Sequence, residues 1–118
     1  MEKKSNEAQV DYIELPGKDL IKTKAFYEQV FGWKFTDYGP DYTAFEDGRL
    51  AGGFTKDRQA VSGGPLIIIY GHDLPATERK VLEAGGQISR AAFSFPGGRR
   101  FHFKDPNGNE LAVWSEKA

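Results

Sequence analysis

Two stretches of the chain decide how it folds: IELPGKDLIKTKAFYEQVFG, residues 13–32, and IIIYGHDLPATERKVLEAGG, residues 67–86. A shift of 54 residues superimposes Ile13 on Ile67, Gly17 on Gly71, Asp19 on Asp73, Leu20 on Leu74, Thr23 on Thr77 and Gly32 on Gly86. That is six identities in twenty positions, where typical residue frequencies give about one. Each stretch follows the same grammar. A short apolar run ends at Gly, Asp supplies an N-cap oxygen for the next free amides, and apolar residues recur at helical spacing until Gly stops the helix. In the second copy Pro75 falls in the first helical turn, where its missing N–H costs little.

Strand-forming runs follow each helix. In the first half these are Trp33–Tyr38, Tyr42–Glu46 and Leu50–Thr55, divided by Gly39-Pro40 and Asp47-Gly48. In the second they are Gln87–Phe95, Arg99–Lys104 and Asn109–Ser115, divided by Pro96-Gly97-Gly98 and Asp105-Pro106-Asn107-Gly108. Asp-Gly between two such runs predicts a tight hairpin, because both residues tolerate positive φ. Pairing Asp47-Gly48 with Asn107-Gly108 needs a shift of 60, and an insertion near Phe95–Arg99 absorbs the difference. The expected fold class is therefore α+β: two tandem βαβββ modules, residues 9–56 and 64–116, joined by a polar linker at 57–63.

The 118 residues suffice for one domain, expected over 9–118, and the polar residues 1–8 are expected to be a disordered tail. With 39% apolar residues the chain reads as globular. No cysteine is present, which removes disulfides, zinc–thiolate sites and thiol nucleophiles together. A net charge of −1 supplies no cationic field for nucleic acid or anionic lipid. The one basic–aromatic cluster, Arg99-Arg100-Phe101-His102-Phe103, is similar to an RNA-binding strand, but its electrostatic footprint is small. The longest apolar run, Leu66–Tyr70, is too short for a membrane span, and no apolar signal core follows the N-terminal charges. A cytoplasmic protein without nucleic-acid or membrane partners is expected. No nucleophile elbow, phosphate loop or dinucleotide fingerprint is found.

The order of these elements, with Ala25-Phe26-Tyr27 before Val30-Phe31-Gly32-Trp33 and a late Asp105-Pro106-Asn107-Gly108-Asn109, resembles the vicinal oxygen chelate superfamily. That superfamily holds glyoxalase I, the bleomycin- and fosfomycin-resistance proteins and extradiol dioxygenases. The resemblance implies that the two modules curl into a mixed-sheet cup around a small ligand and that the chain is a homodimer. It also implies metal ligands at four equivalent points. These are a first-strand residue seven before each capping Asp, here Tyr12 and Leu66, and a last-strand residue in each module, here Gly52 and Ala112.

Leu66, Gly52 and Ala112 carry no side-chain lone pair, and a phenol such as Tyr12 binds most divalent ions weakly. The expectation is therefore a metal-free protein without cofactor, binding a small organic molecule in an aromatic-lined hollow. Tyr12, Leu66, Ala112 and Trp114 would line it, with Gly52 leaving room and Phe54, Ile68 and Tyr70 as neighbours by strand alternation. Glu14 shares the face of Tyr12, and Glu110 that of Ala112. The alternative is a glyoxalase- or dioxygenase-type enzyme. It would use Glu14 and Glu110 as acid and base, or an atypical metal site drawn from Glu14, His102 and Glu110. The face on which His102 lies is left open by the sequence.

Overall fold

A computed structural model describes residues 7–117 of the chain. Glu7 and Ala8 form a turn, and the rest of the expected tail lies outside the described residues. The first module runs β1 (Tyr12–Pro16), α1 (Leu20–Phe31), β2 (Lys34–Asp37), β3 (Tyr42–Glu46) and β4 (Ala51–Thr55). The second runs β5 (Ile67–Tyr70), α2 (Leu74–Glu83), β6 (Gln87–Phe95), β7 (Gly98–Lys104) and β8 (Glu110–Ser115). Their sheets have the orders β1-β4-β3-β2 and β5-β8-β7-β6, with a parallel β1–β4 or β5–β8 pair and antiparallel neighbours. The two-module α+β reading holds. Each module contributes one four-stranded mixed sheet, and neither sheet is closed.

The repeated residues turn out to be structural. Asp19 and Asp73 cap their helices by accepting from Lys22 N and Ala76 N. Thr23 and Thr77 each donate their hydroxyl to the carbonyl of the capping Asp. Gly32 closes α1 in the left-handed region at φ 73°, where any Cβ would be strained.

Helices and the inner faces of both sheets share one apolar cluster. Tyr27 stacks on Trp33 at 4.7 Å, Trp33 on Phe45 at 4.4 Å, and Phe45 meets Phe54 at 5.5 Å. From the second module Phe103 reaches Phe26 and Phe31 of α1. A polar clamp adds to this joint. The turn Asp105–Asn109 reaches the start of α1, where Asn107 Oδ1 accepts from Lys18 N and Asp19 N, and Asn109 Nδ2 donates to the Pro16 carbonyl. Buried Asp105 accepts from the Tyr27 hydroxyl at 2.8 Å.

One structural difference matters for the site. The Asp47-Gly48 hairpin is not a two-residue turn. Residues 47–50 form a four-residue loop in which Asp47 Oδ1 accepts from Arg49 N and Leu50 N, and only Gly48 of the Asp-Gly pair has positive φ. The corresponding β7–β8 turn spans five residues, 105–109. The true shift between the last strands is therefore 59, and the structural equivalent of Ala112 is Gly53. A one-residue slip moves every side chain to the opposite face.

Gly52 consequently sits on the inner face. A Cβ there would lie 2.3 Å from the Ile13 carbonyl and 2.4 Å from the Phe45 ring. Gly52→Ala is expected to cost about 2–3 kcal/mol of stability, because a backbone atom must move. Urea unfolding should show it as a lower midpoint at unchanged slope.

Candidate functional site

Strand alternation sorts the expected site residues onto two faces. In the first sheet Ile13, Leu15, Gly52, Phe54 and Phe45 share register positions on the side that holds the helices. Phe54 is fully buried there against Tyr27, so it is core and not lining, contrary to expectation. The outer face carries Tyr12 and Glu14 with Gly53, Tyr42 and Ala44 beside them. Gly52, opposite Ile13, does not join Tyr12.

Tyr12 and Tyr42 hydroxyls hydrogen-bond at 2.6 Å. The two phenols lie over Gly53, where a Cβ would come within 2.7 Å of both oxygens. Burial, followed by the hydrogen bonds with Tyr12 and with Glu14, raises the Tyr42 pKa above its usual value, so Tyr42 stays a neutral phenol. Tyr42 was missed from the sequence, although inward-facing Thr43 and Phe45 would have placed it outward.

In the second sheet Ile67, Ile69, Leu111, Val113, Phe101 and Phe103 face the helices. Phe101 and Phe103 are fully buried, so neither can stack on a base as an RNA-binding strand requires. The outer face carries Ile68, Tyr70, Arg100, His102, Glu110, Ala112 and Trp114 by register. Leu66 lies just outside β5 and is half-buried. Trp114 is half-buried, with Tyr70 edge-on at 5.2 Å.

His102 is therefore assigned to the outer face. Its Nδ1 lies 3.1 Å from Glu110 Oε2, which also accepts from the Ser89 hydroxyl. A carboxylate only accepts, so the imidazole donates through Nδ1. The bond with His102 holds the Glu110 carboxyl below its ordinary range, which favours an ionised group that orients the ring over a general acid. His102 Nε2 is buried and has no partner.

Between the sheets runs an open cleft of about 680 Å³. Ile13 and Leu15 of β1 face Ile67–Tyr70 of β5 across it, with Trp33, Phe45 and Trp114 among its walls and Asp47 and Arg49 at its rim. Trp114, Ile68 and Tyr70 are thus brought together, whereas Tyr12, Glu14, Gly52, Phe54, Leu66 and Ala112 are not part of this cleft.

The metal question can be put to the donors themselves. With the register corrected, the four equivalent points are Tyr12, Gly53, Leu66 and Ala112. They offer one phenol, itself hydrogen-bonded to a second. Among the described residues no three His, Asp or Glu side chains are grouped as a divalent ion requires. This donor set does not fit the metal that the family resemblance implies. No helix among the described residues is long and apolar enough to cross a membrane.

Paired βαβββ modules, a capped helix in each and open outer sheet faces define the class. The chain belongs to the Glyoxalase/Bleomycin resistance protein/Dioxygenase superfamily, whose model matches residues 9–113. Solved structures share the fold at low identity. A glyoxalase-related enzyme from Fulvimarina pelagi is 22% identical with a TM-score of 0.76, over 92% of this chain and 88% of that one. A lactoylglutathione lyase from Agrobacterium tumefaciens is 19% identical with a TM-score of 0.73, over 93% and 95%. A fosfomycin resistance protein from Listeria monocytogenes, complexed with Mn(II) and 1S,2S-dihydroxypropylphosphonic acid, is 17% identical with a TM-score of 0.78, over 94% and 91%. Comparison with curated proteins gives no match.

Proposed function

We propose that this chain is a metal-free small-molecule-binding member of its superfamily, in the manner of the bleomycin-resistance branch. The observation that carries the reading is the chemistry of the four equivalent points. Where a metal centre needs imidazoles and carboxylates, this chain has a phenol, a glycine, a leucine and an alanine. The apolar and aromatic surface at Ile68, Tyr70 and Trp114 supplies the contact area that an organic ligand needs. Tyr12 at 44%, Ile68 at 43% and Tyr70 at 42% exposure leave both outer faces uncovered. A second copy of the chain, as in homodimers of this fold, is the proposed cover.

The chain has only two tryptophans, so two indole N–H signals report binding. Titration with a panel of hydrophobic and aromatic compounds should move the Trp114 signal saturably, and more than that of Trp33. No saturable shift across the panel would reject the reading.

The second reading, an enzyme using acid–base chemistry, draws on the His102–Glu110 pair. There the carboxylate orients the imidazole and Nε2 takes or gives the proton. Such an enzyme would lose turnover in His102→Gln while keeping affinity, whereas a pure binder has no turnover to lose.

A further inference from the structure

We propose that the outer face of β6 and β7 is a carboxylate subsite, which selects organic acids over neutral compounds of the same shape. This rests on the small-molecule reading above and names its ligand class. Arg90 and Arg100 lie on this face, opposite His102 and Trp114 in the strand register. Among the described residues neither guanidinium is paired with a carboxylate. The acid on the same face, Glu110, is already taken by His102 and Ser89. The charge left uncompensated is local, since the whole chain carries −1.

Aromatic rings hold these guanidiniums in place. The Arg90 guanidinium lies 3.8 Å from the Phe93 ring centre, and that of Arg100 lies 5.4 Å from Phe93 and 5.7 Å from Phe95. Stacking leaves the planar N–H edge free and removes part of the ordering cost of binding an anion. The two register shifts in β6, between Ile88 and Arg90 and between Arg90 and Phe93, bring both arginines to the one ring.

One unmet donor points the same way. Arg100 Nε is buried without a partner. His102, two residues along on the same strand face, donates Nδ1 to Glu110, so its own unpartnered Nε2 is an acceptor and has no proton to offer the carboxylate. A buried polar atom left unpaired is costly. A carboxylate that reaches Arg100 side-on accepts from Nε and one terminal nitrogen together, the paired geometry that guanidinium favours. The body of the acid then lies toward Ala112, Ile68 and Trp114, which adjoin along β8 and β5.

The test compares 3-phenylpropionate with its primary amide, by calorimetry and by the indole signals, on the wild-type chain and on Arg100→Gln, Arg90→Gln and Arg79→Gln. The wild type should bind the acid roughly ten- to a hundredfold more tightly than the amide, the range of a charge-assisted bond. Arg100→Gln should erase that preference and leave amide affinity unchanged, Arg90→Gln should reduce it, and Arg79→Gln on α2 should keep it. Equal affinity for acid and amide in the wild type overturns the subsite and leaves small-molecule binding standing. A preference that survives both Arg100→Gln and Arg90→Gln also overturns it. So does an Arg100→Gln that changes the oligomeric state while keeping the preference, since the arginine would then serve a second copy of the chain. If neither compound binds, and the wider hydrophobic panel fails too, it is the small-molecule reading that falls. Should Arg100→Gln fold poorly, the Arg90→Gln and acid-against-amide arms still decide.

Discussion

Asp105→Ala is expected to lower the stability of the chain by about 3–5 kcal/mol, more than any other single truncation of a polar side chain. The carboxylate is 5% exposed and accepts from four donors: the Tyr27 hydroxyl, Asn107 N, Asn109 N and Asn109 Nδ2. Its removal leaves those donors facing a void and releases the turn that clamps the second module to the start of α1. Burial raises the Asp105 carboxyl above its ordinary value, against the opposing pull of its hydrogen bonds to Asn109 and Tyr27. The native state therefore holds this proton more readily than the unfolded chain. The contribution of Asp105 is full below the unfolded value near 3.8 and declines as pH rises through the higher native value. Asp105→Asn carries no such titration. Urea unfolding from pH 3 to 7 should show the wild-type advantage over Asp105→Asn shrinking as pH rises, and Asp105→Ala less stable than either throughout.

Trp114→Ala is expected to weaken ligand binding roughly thirtyfold, the effect of losing one large aromatic contact of about 2 kcal/mol. The indole lies where the cleft meets the outer face of the second sheet, with Tyr70 against its edge and Phe95 beyond it. It is half-buried, so its stability cost should be smaller than that of Trp33, which is stacked between Tyr27 and Phe45 in the core. Calorimetry on Trp114→Ala separates the two roles. A fall in affinity with near-native unfolding assigns Trp114 to the ligand, and unfolding without a change in affinity assigns it to packing.

The helices, their caps and the two-module order were legible because each rests on local chemistry. Asp19 and Asp73 cap, and Gly32 takes positive φ, whatever the tertiary setting. Where β1 begins depends instead on its partner: Val10 is 75% exposed and lies outside the strand, because β4 starts only at Ala51, opposite Tyr12. The site was less legible for a reason that can be traced to one turn. Whether Gly52 or Gly53 stands opposite Glu14 depends on the four residues of the 47–50 loop, and Asp-Gly suggested two. The large apolar Phe54 was the better guide. Placed in the core, it turns Gly52 inward and leaves Gly53 beneath the phenols. His102 shows the complementary case. The alternation Phe101-His102-Phe103 states that the histidine opposes its neighbours, but which side is core follows from Phe26 and Phe31 of α1, some seventy residues earlier. The Arg90–Phe93–Arg100 contact depends on bulges that no residue pattern announces.

Metal content decides whether Tyr12, Gly53, Leu66 and Ala112, the positions where a metal centre of this superfamily would sit, are unable to hold a cation. The chain is purified without chelator, equilibrated with Mn²⁺, Zn²⁺ or Ni²⁺, desalted and analysed for bound metal. Far less than one ion per chain is expected, with ligand affinity unchanged by chelator. One ion retained per chain, and lost in Tyr12→Phe or Glu14→Ala, would contradict the metal-free reading.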